Sequence, residues 1–310
     1  IANSVEDKLI DGLSFKSKSG ASYITERKSV TFHPQGSNIY STNGTKLIKI
    51  LLTGDQFVDP STFRVMFDVV NMESDSDKKL RVLGGPHTFF RRMRILCGGT
   101  LVEDISDYNR VHEMFRILNA KDANINTDAE AFGQQWDLVK GTQYGTAQKH
   151  PDITTLDGIK GGESHTVLFK PCSGLFNQEK MLPLRYMPIT IELELVNDSL
   201  EVIASNLDLN GSSDFNATNT SLIWEIRNPQ VKCDVCTLDN QLDNSYAEHL
   251  LSGKSLPINY QTYVSQTQST LTGDQGQEKV RLNVTRALSR LKNVFVTLTN
   301  DTAYKPTSNL

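Results

Sequence analysis

Residues 189–195 read Ile-Thr-Ile-Glu-Leu-Glu-Leu, and this alternation constrains the fold more than any other stretch of the chain. Successive side chains of an extended strand point to opposite faces, so Ile189, Ile191, Leu193 and Leu195 share one face and Thr190, Glu192 and Glu194 the other. A helix would scatter the same residues around its axis. The segment predicts a strand of an antiparallel sheet with one face dry and one wet.

The same period recurs along the chain. In STFRVMFDVVN, Phe63, Val65, Phe67 and Val69 fall on one face, while Leu47 to Leu52 reads as a strand buried over much of both faces. FFRRMRILCGGTLVEDI reads as two strands about a Gly98-Gly99 turn. Further strand patterns are HTVLFKPC, SLIWEIRNPQVKCDVCTL, LPINYQTYV and VRLNVTRALSRLKNVFVTLTN. Pro229 is expected to interrupt the face of Leu222, Trp224 and Ile226, and Ile258, Tyr260, Thr262 and Val264 to share a face. Helical spacing shows in only two places. Val111, Met114, Phe115 and Leu118 form one stripe behind a Ser106 or Asp107 cap, and Leu242, Tyr246, Ala247 and Leu250 form another between an Asp239 or Asn240 start and a Gly253 stop. So little helix excludes alternating βαβ units and leaves an antiparallel sandwich or barrel. Long polar loops at 119–165 and 197–220 suit jelly rolls, a class that includes viral capsid and lectin domains and cupins.

Charge and motif content narrow the function. A formal charge of −4 argues against a protein that coats nucleic acid, and no run approaches the roughly 18 apolar residues of a bilayer span. The opening IANSVEDKLIDG lacks the n-region and h-region of a signal peptide. Residues 1–30 are polar and weakly periodic, as expected of an arm. The chain starts at Ile1, and its end TNDTAYKPTSNL follows directly on a strand pattern, as expected of a piece of a longer polypeptide.

Sites of chemistry are sparse in this pattern. Cys233 and Cys236 have CxxC spacing, but no second Cys or His pair stands nearby to complete a zinc site, and residues three apart on a strand face opposite ways. They and Cys97 and Cys172 read as reduced, buried thiols. The histidines are His33, His87, His112, His150, His165 and His249, and no two lie within four residues. A cupin metal cluster is therefore not expected, and His112-Glu113 reads as a solvated helix face. No phosphate loop and no nucleophile elbow occurs. No catalytic residue, metal or cofactor is assigned. The basic trio Arg91, Arg92 and Arg94 is the one candidate contact site. Arg92 and Arg94 should share a side with Phe90 and pair with acidic groups of a neighbouring subunit, with packaged nucleic acid as the lesser alternative.

Three runs taken in order carry a family resemblance: FFRRMRILCGGTLVEDISDYNRVHEMF, LFNQEKMLPLRYMPITIELELV and VKCDVCTLDNQLDNSYAEHLLSGKSLPINYQTYVSQTQS. Together they resemble the double jelly-roll major capsid proteins of the adenovirus-hexon lineage, above all those of Polinton-like viruses, adintoviruses and virophages. The resemblance spans about residues 40–300. It implies an all-β chain of tandem antiparallel jelly-roll sandwiches joined by a short helix. On that mapping residues 1–30 are an N-terminal arm and 31–238 a first roll with a long insertion loop at 119–165. Residues 239–251 are the connecting helix, and 252–310 open a second roll that is incomplete in this chain.

The resemblance further implies a non-enzymatic subunit of a homotrimer with pseudo-hexagonal outline, three copies of two rolls giving six similar corners. Such trimers meet neighbouring capsomers, penton and minor or cement capsid proteins in the icosahedral shell of a virion assembled inside the infected host cell. Packaged nucleic acid is at most a weak contact. The alternative is a carbohydrate- or receptor-binding jelly roll that uses Trp136, Tyr144 and the Asn/Asp-rich loops. A metal-dependent cupin-type enzyme is the remote third reading.

Overall fold

Apolar residues at every second position build the strands of this protein, whose computed structural model describes residues 24–82, 84–118, 158–203, 220–267, 284–285 and 290–297. In chain order the elements are β1 (Ile24–Phe32), β2 (Ile39–Tyr40), β3 (Leu47–Leu52), β4 (Phe57–Val58), β5 (Arg64–Asn71), β6 (Phe90–Cys97) and β7 (Thr100–Ser106). Then come helix α1 (Tyr108–Leu118), β8 (Ser164–Phe169), β9 (Leu182–Pro183), β10 (Ile189–Leu195), β11 (Trp224–Leu238) and helix α2 (Asn240–Leu251).

Leaving aside the two-residue strands β2, β4 and β9, the eight long strands pair in a nested order. The first pairs with the eighth (β1 with β11), the second with the seventh (β3 with β10), the third with the sixth (β5 with β8) and the fourth with the fifth (β6 with β7), all antiparallel. Rolling this long hairpin up sets β11 beside β5 and β10 beside β6. Two sheets result, β1-β11-β5-β8 and β3-β10-β6-β7, which is the winding of a jelly roll.

One core lies between the sheets. Ile189, Ile191, Leu193 and Leu195 of β10 are buried as their alternation predicts, and Val65, Phe67 and Val69 of β5 enter the same core. The Phe67 ring meets those of Phe89, Phe90 and Phe169 edge-on at 5.9, 5.4 and 6.3 Å, and Phe89 meets Trp224 at 4.7 Å. Edge-to-face contacts of this kind add to the burial of the rings themselves. β6 and β7 turn at Gly98 and Gly99, with φ of 56° and 82°. Two successive positive φ angles match the turn that suits a twisted two-residue hairpin, and glycine adopts them without strain.

Several local readings of the sequence are corrected. β3 buries only Ile48, Ile50 and Leu52, while Leu47 stays 39% exposed, because its other face is an outer face of the roll. Pro229 interrupts the buried face of β11, as expected, but does not end the strand. The register shifts between Arg227 and Gln230, and Asn228 takes a φ of 50°, so the proline sits in a bulge where no ladder N–H is required. The bulge also changes the phase of burial, from Trp224 and Ile226 to Val231, Cys233 and Val235. Residues 24–30, expected within the arm, belong to β1. Most of that strand is exposed, and its backbone pairing to β11 holds it where apolar alternation does not. β8 starts at Ser164, just inside the stretch expected as loop.

The helices lie near opposite ends of the roll. α1 follows β7 and packs on the 3-10 turn Pro86–Phe89 and on β6. Its inward stripe is Tyr108, Val111, His112 and Phe115, one turn earlier than the stripe read from the sequence, and Leu118 is 64% exposed. Tyr108 is large and fully buried, and it sets the rotation of the helix. α2 follows β11, capped by the Asp239 side chain, which accepts from the Gln241 N–H at 3.2 Å. Gly253, with a φ of 79°, ends it. Tyr246 of α2 meets Phe57 at 6.0 Å, and Asp243 pairs with Arg185 at 2.9 Å.

The chain that follows α2 returns along β7. Tyr260 Oη donates to the carbonyl of Val102 at 2.9 Å, Ser265 Oγ to the carbonyl of Ser106, and Thr267 Oγ1 to Asp107 Oδ2 at 2.6 Å. The segment therefore runs in the direction of β7. Ile258, Tyr260 and Tyr263 pack on the core, whereas Val264 is 39% exposed, so the expected alternation changes phase after Tyr260. There the Gln261 carbonyl presses on Gly174, where an added Cβ would lie 1.7 Å from the oxygen. Among the described residues no strand is formed after Leu238.

Candidate interaction surfaces

The outer face of the β3-β10-β6-β7 sheet is a ladder of opposite charges. Glu192 of β10 reaches Lys49 of β3 at 3.6 Å and Arg94 of β6 at 2.8 Å. Arg92 grips Asp104 of β7 with two parallel bonds, Nε to Oδ1 and Nη2 to Oδ2, each 2.8 Å. The bond to Asp104 raises the Arg92 guanidinium above its ordinary range. Glu192 stands directly opposite Lys49 and Arg94, and Asp104 diagonally from Arg92, both arrangements within reach of such pairs, which support the register of the sheet.

The arginine trio is split by a bulge. Glu194 stands opposite Arg92 and Leu195 opposite Phe90, so Arg91 is the extra residue and is pushed into solvent. Phe90 is fully buried, and it does not share a side with Arg92 and Arg94 because the bulge intervenes. Arg92 and Arg94 are ion-paired within their own sheet, and Arg91 is exposed.

A second set of contacts fastens β1, which lies at the rim of its sheet. Arg27 bridges Asp59 at 2.7 Å and Asp234 at 2.9 Å, so one guanidinium ties β1 to β11 and to the connection between β4 and β5. At one end of the roll the described residues that flank 119–157 and 204–219 converge on residues 79–82. Leu80 pairs with Ile159, Val82 with Ile203 and Lys79 with Thr220. Trp136 and Tyr144, the aromatic residues of the carbohydrate reading, lie outside the described residues.

The cysteines are all free and buried. Burial pushes the thiols of Cys172 and Cys233 up to about 12 and that of Cys97 to about 11, which keeps them protonated and unreactive. Cys233 faces the core between the sheets. Among the described residues no group of three or more His, Cys, Asp or Glu side chains is placed to hold a metal ion. Glu103 is buried on β7, where it accepts from Ser173 Oγ and from the Gly174 N–H at 2.8 Å. It anchors the connection between β8 and β9.

His112 and Glu113 do not form a solvated face. His112 lies on the inward stripe of α1 and its ring stacks on that of His87, while Glu113 bonds His87 at 2.9 Å. The two histidines are distant in sequence, and only the tertiary fold brings them together. A helical stripe started at Tyr108 places His112 inside, which is the signal the sequence did hold.

No protein-family model matches the sequence, and no curated protein matches it. Solved structures do. The chain is similar to the PBCV-1 virus capsid quasi-atomic model at 16% identity and a TM-score of 0.42, covering 76% of this chain and 48% of that one. It is similar to the Faustovirus major capsid protein at 9% identity and a TM-score of 0.36, with coverage of 77% and 59%. The mavirus major capsid protein gives 11% identity and a TM-score of 0.38, with coverage of 74% and 50%. The chain spans about half the length of these proteins.

Proposed function

We propose that the chain is part of a double jelly-roll major capsid protein, a structural and non-catalytic subunit that self-associates into pseudo-hexagonal homotrimers of an icosahedral virion shell. The observation that carries the reading is the nested winding of the eight strands, taken with the sequence resemblance that points to the same architecture. The space between the sheets, which a ligand-binding barrel reserves for its ligand, is filled here by Phe67, Phe89, Phe90, Phe169 and Trp224. Such a roll offers its flanks and ends to partners. The segment 254–267 laid along β7 supports the start of a second roll beside the first, with α2 as the joint.

In this reading the outer faces meet sister subunits, neighbouring capsomers, penton and cement proteins. Of the three arginines Arg91 is the one offered to a neighbouring subunit, since Arg92 and Arg94 spend their charge inside the sheet. The test is the mass of the purified full-length protein by size-exclusion chromatography with light scattering, followed by negative-stain microscopy. Obligate interfaces of this class often bury about 2,000 Å² or more, so a trimer that persists through dilution and added salt is expected, with rings of sixfold outline. A clean monomer at every concentration and salt would overturn the reading.

A further inference from the structure

The His87–His112 pair is the densest group of titratable side chains that the proposed function leaves without a task. The two imidazole rings stack with centroids 4.1 Å apart and planes inclined by 16°. His87 is 2% exposed and lies in the 3-10 turn Pro86–Phe89, which leads into β6. His112 comes from α1, the last described helix before residue 119. The pair therefore bridges the β5–β6 connection and the helix.

Of the groups around His112 only the Glu113 carboxylate favours a positive charge there, and burial, His87 and Arg116 oppose it. Tyr108, one turn earlier on α1, places its Oη 3.1 Å from His112 Nδ1. The same oxygen accepts from the backbone N–H of Cys172 at 2.9 Å, which frees the phenolic proton to donate to Nδ1. His112 thus accepts at Nδ1 and carries its own proton on Nε2. From β8 the ring of Phe169 closes the site at 5.8 Å, and the turn contributes His87. On the helix itself Glu113 and Arg116 complete the surroundings. The Glu113 carboxylate is already engaged, taking Nε and Nη2 of Arg116 at 2.7 and 2.5 Å and Nε2 of His87 at 2.9 Å. These bonds go to Arg116 and His87, and none from Glu113 to His112 offsets the burial of that ring.

We propose that the stacked His87–His112 pair is an acid-operated latch that holds α1 on the roll and releases it when His112 takes up a proton. A proton at Nδ1 turns an acceptor into a donor that faces the Tyr108 hydroxyl. It also sets a positive charge against the His87 ring and beside Arg116, where little water reaches.

The pKa direction agrees with this geometry. Burial, and after it the neighbouring His87, hold His112 well below the ordinary imidazole value near 6.5. The closed form therefore keeps His112 neutral, and the open form binds a proton at an ordinary pKa. The latch is fully closed above about pH 6.5 and weakens as pH falls below it. One proton linked in this way shifts the open-to-closed ratio by up to about 30-fold between about pH 7.5 and pH 5. The inference stands on the fold of the roll and is independent of the coat-protein reading.

Hydrogen exchange of the full chain at those two pH values, corrected for intrinsic exchange, tests the latch. Peptides covering Pro86–Phe89 and Tyr108–Leu118 should lose protection by roughly 10-fold and up to about 30-fold at the lower pH, while β5 keeps its protection. His112→Gln, which accepts from Tyr108 without titrating, should show no such drop. His87→Gln, which removes one ring of the stack, should show a smaller one and serves where His112→Gln does not fold. Equal protection of α1 at both pH values, an undiminished drop in the variants, or a loss shared with β5 would overturn the latch.

Discussion

Ser221 Oγ donates to Asn71 Oδ1 across 2.6 Å, joining two buried side chains that lie 150 positions apart in the chain. The Asn71 amide in turn donates to the carbonyls of Lys78 at 2.9 Å and Ile159 at 2.8 Å. One side chain therefore fixes three connections at the same end of the roll. Asn71→Ala would take the side-chain donor from the Lys78 carbonyl, whereas the Ile159 carbonyl keeps the Leu80 N–H at 2.8 Å and Ser221 Oγ can still donate to the Ile223 carbonyl at 3.2 Å, so the cost is that of about one unpaired group, about 1–3 kcal/mol. A loss of about 1–3 kcal/mol is expected from urea denaturation, against about 1 kcal/mol for Ser221→Ala. The double variant should fall short of the sum, because both changes break the same bond.

The arginines should behave differently from one another. Arg91→Ala is expected to change stability by less than about 0.5 kcal/mol, since the bulge holds the side chain in solvent. Arg92→Ala breaks the two bonds to Asp104 and should cost about 0.5–1 kcal/mol at low salt, an effect that shrinks as salt is added. On the coat-protein reading Arg91→Glu weakens the trimer while leaving the unfolding midpoint of the roll in place. Light scattering paired with denaturation measures both quantities.

Gly174→Ala should detach the segment that follows α2 without unfolding the roll. The added methyl would stand 1.7 Å from the Gln261 carbonyl oxygen, so one backbone must move. Gly174 has an ordinary helical φ of −65°, and alanine is at ease there. The strain therefore falls on the segment 254–267. Limited proteolysis should cut the variant after Lys254 much faster than the native chain, with the roll left intact.

Stability should fall at both extremes of pH for reasons of opposite sign. Burial raises the thiols of Cys172 and Cys233 to about 12 and of Cys97 to about 11, whereas the unfolded chain releases thiol protons near pH 8.5. Their contribution is complete below that pH and is lost as pH rises toward 12, by at most about 1.4 kcal/mol per thiol and pH unit. For Glu113 burial acts upward, but the bonds from His87 and Arg116 outweigh it and hold the carboxyl at about 2. Its contribution is present above the ordinary carboxyl range near pH 4.3 and is lost as pH falls toward 2. Cys233→Ala should flatten the alkaline limb and Glu113→Gln the acid limb of a stability profile taken in urea.

What the sequence disclosed followed from regular periods and turn chemistry. The alternation of residues 189–195 is β10 residue for residue, Gly98-Gly99 is the hairpin turn, and the Asp239 cap and Gly253 stop bound α2. Hidden features were those that tertiary contacts decide. β1 could not be read from apolar alternation, because it is an exposed strand at the rim of its sheet, held by backbone bonds and by Arg27. The bulges at Arg91 and Asn228 shift the phase of burial by one position, which local spacing does not announce. The rotation of α1 depends on the burial of Tyr108, and with it the meeting of His112 and His87. The acidic partners of Arg92 and Arg94 stand on neighbouring strands, in a register that pairing alone defines.

The nested pairing of strands sets an order of events during synthesis. Among the described strands only β6 and β7 have a partner next to them in the chain, whereas Thr25 of β1 reaches Thr237 of β11, a separation of 212 positions. Closure proceeds outward from that central hairpin, and β1, made long before β11, is the last of the described long strands to be joined. Contacts this distant make folding slow and leave open strands exposed to other nascent chains. A truncation that stops before β11 strands β1 without its partner, and loss of β1 uncovers one edge of β11.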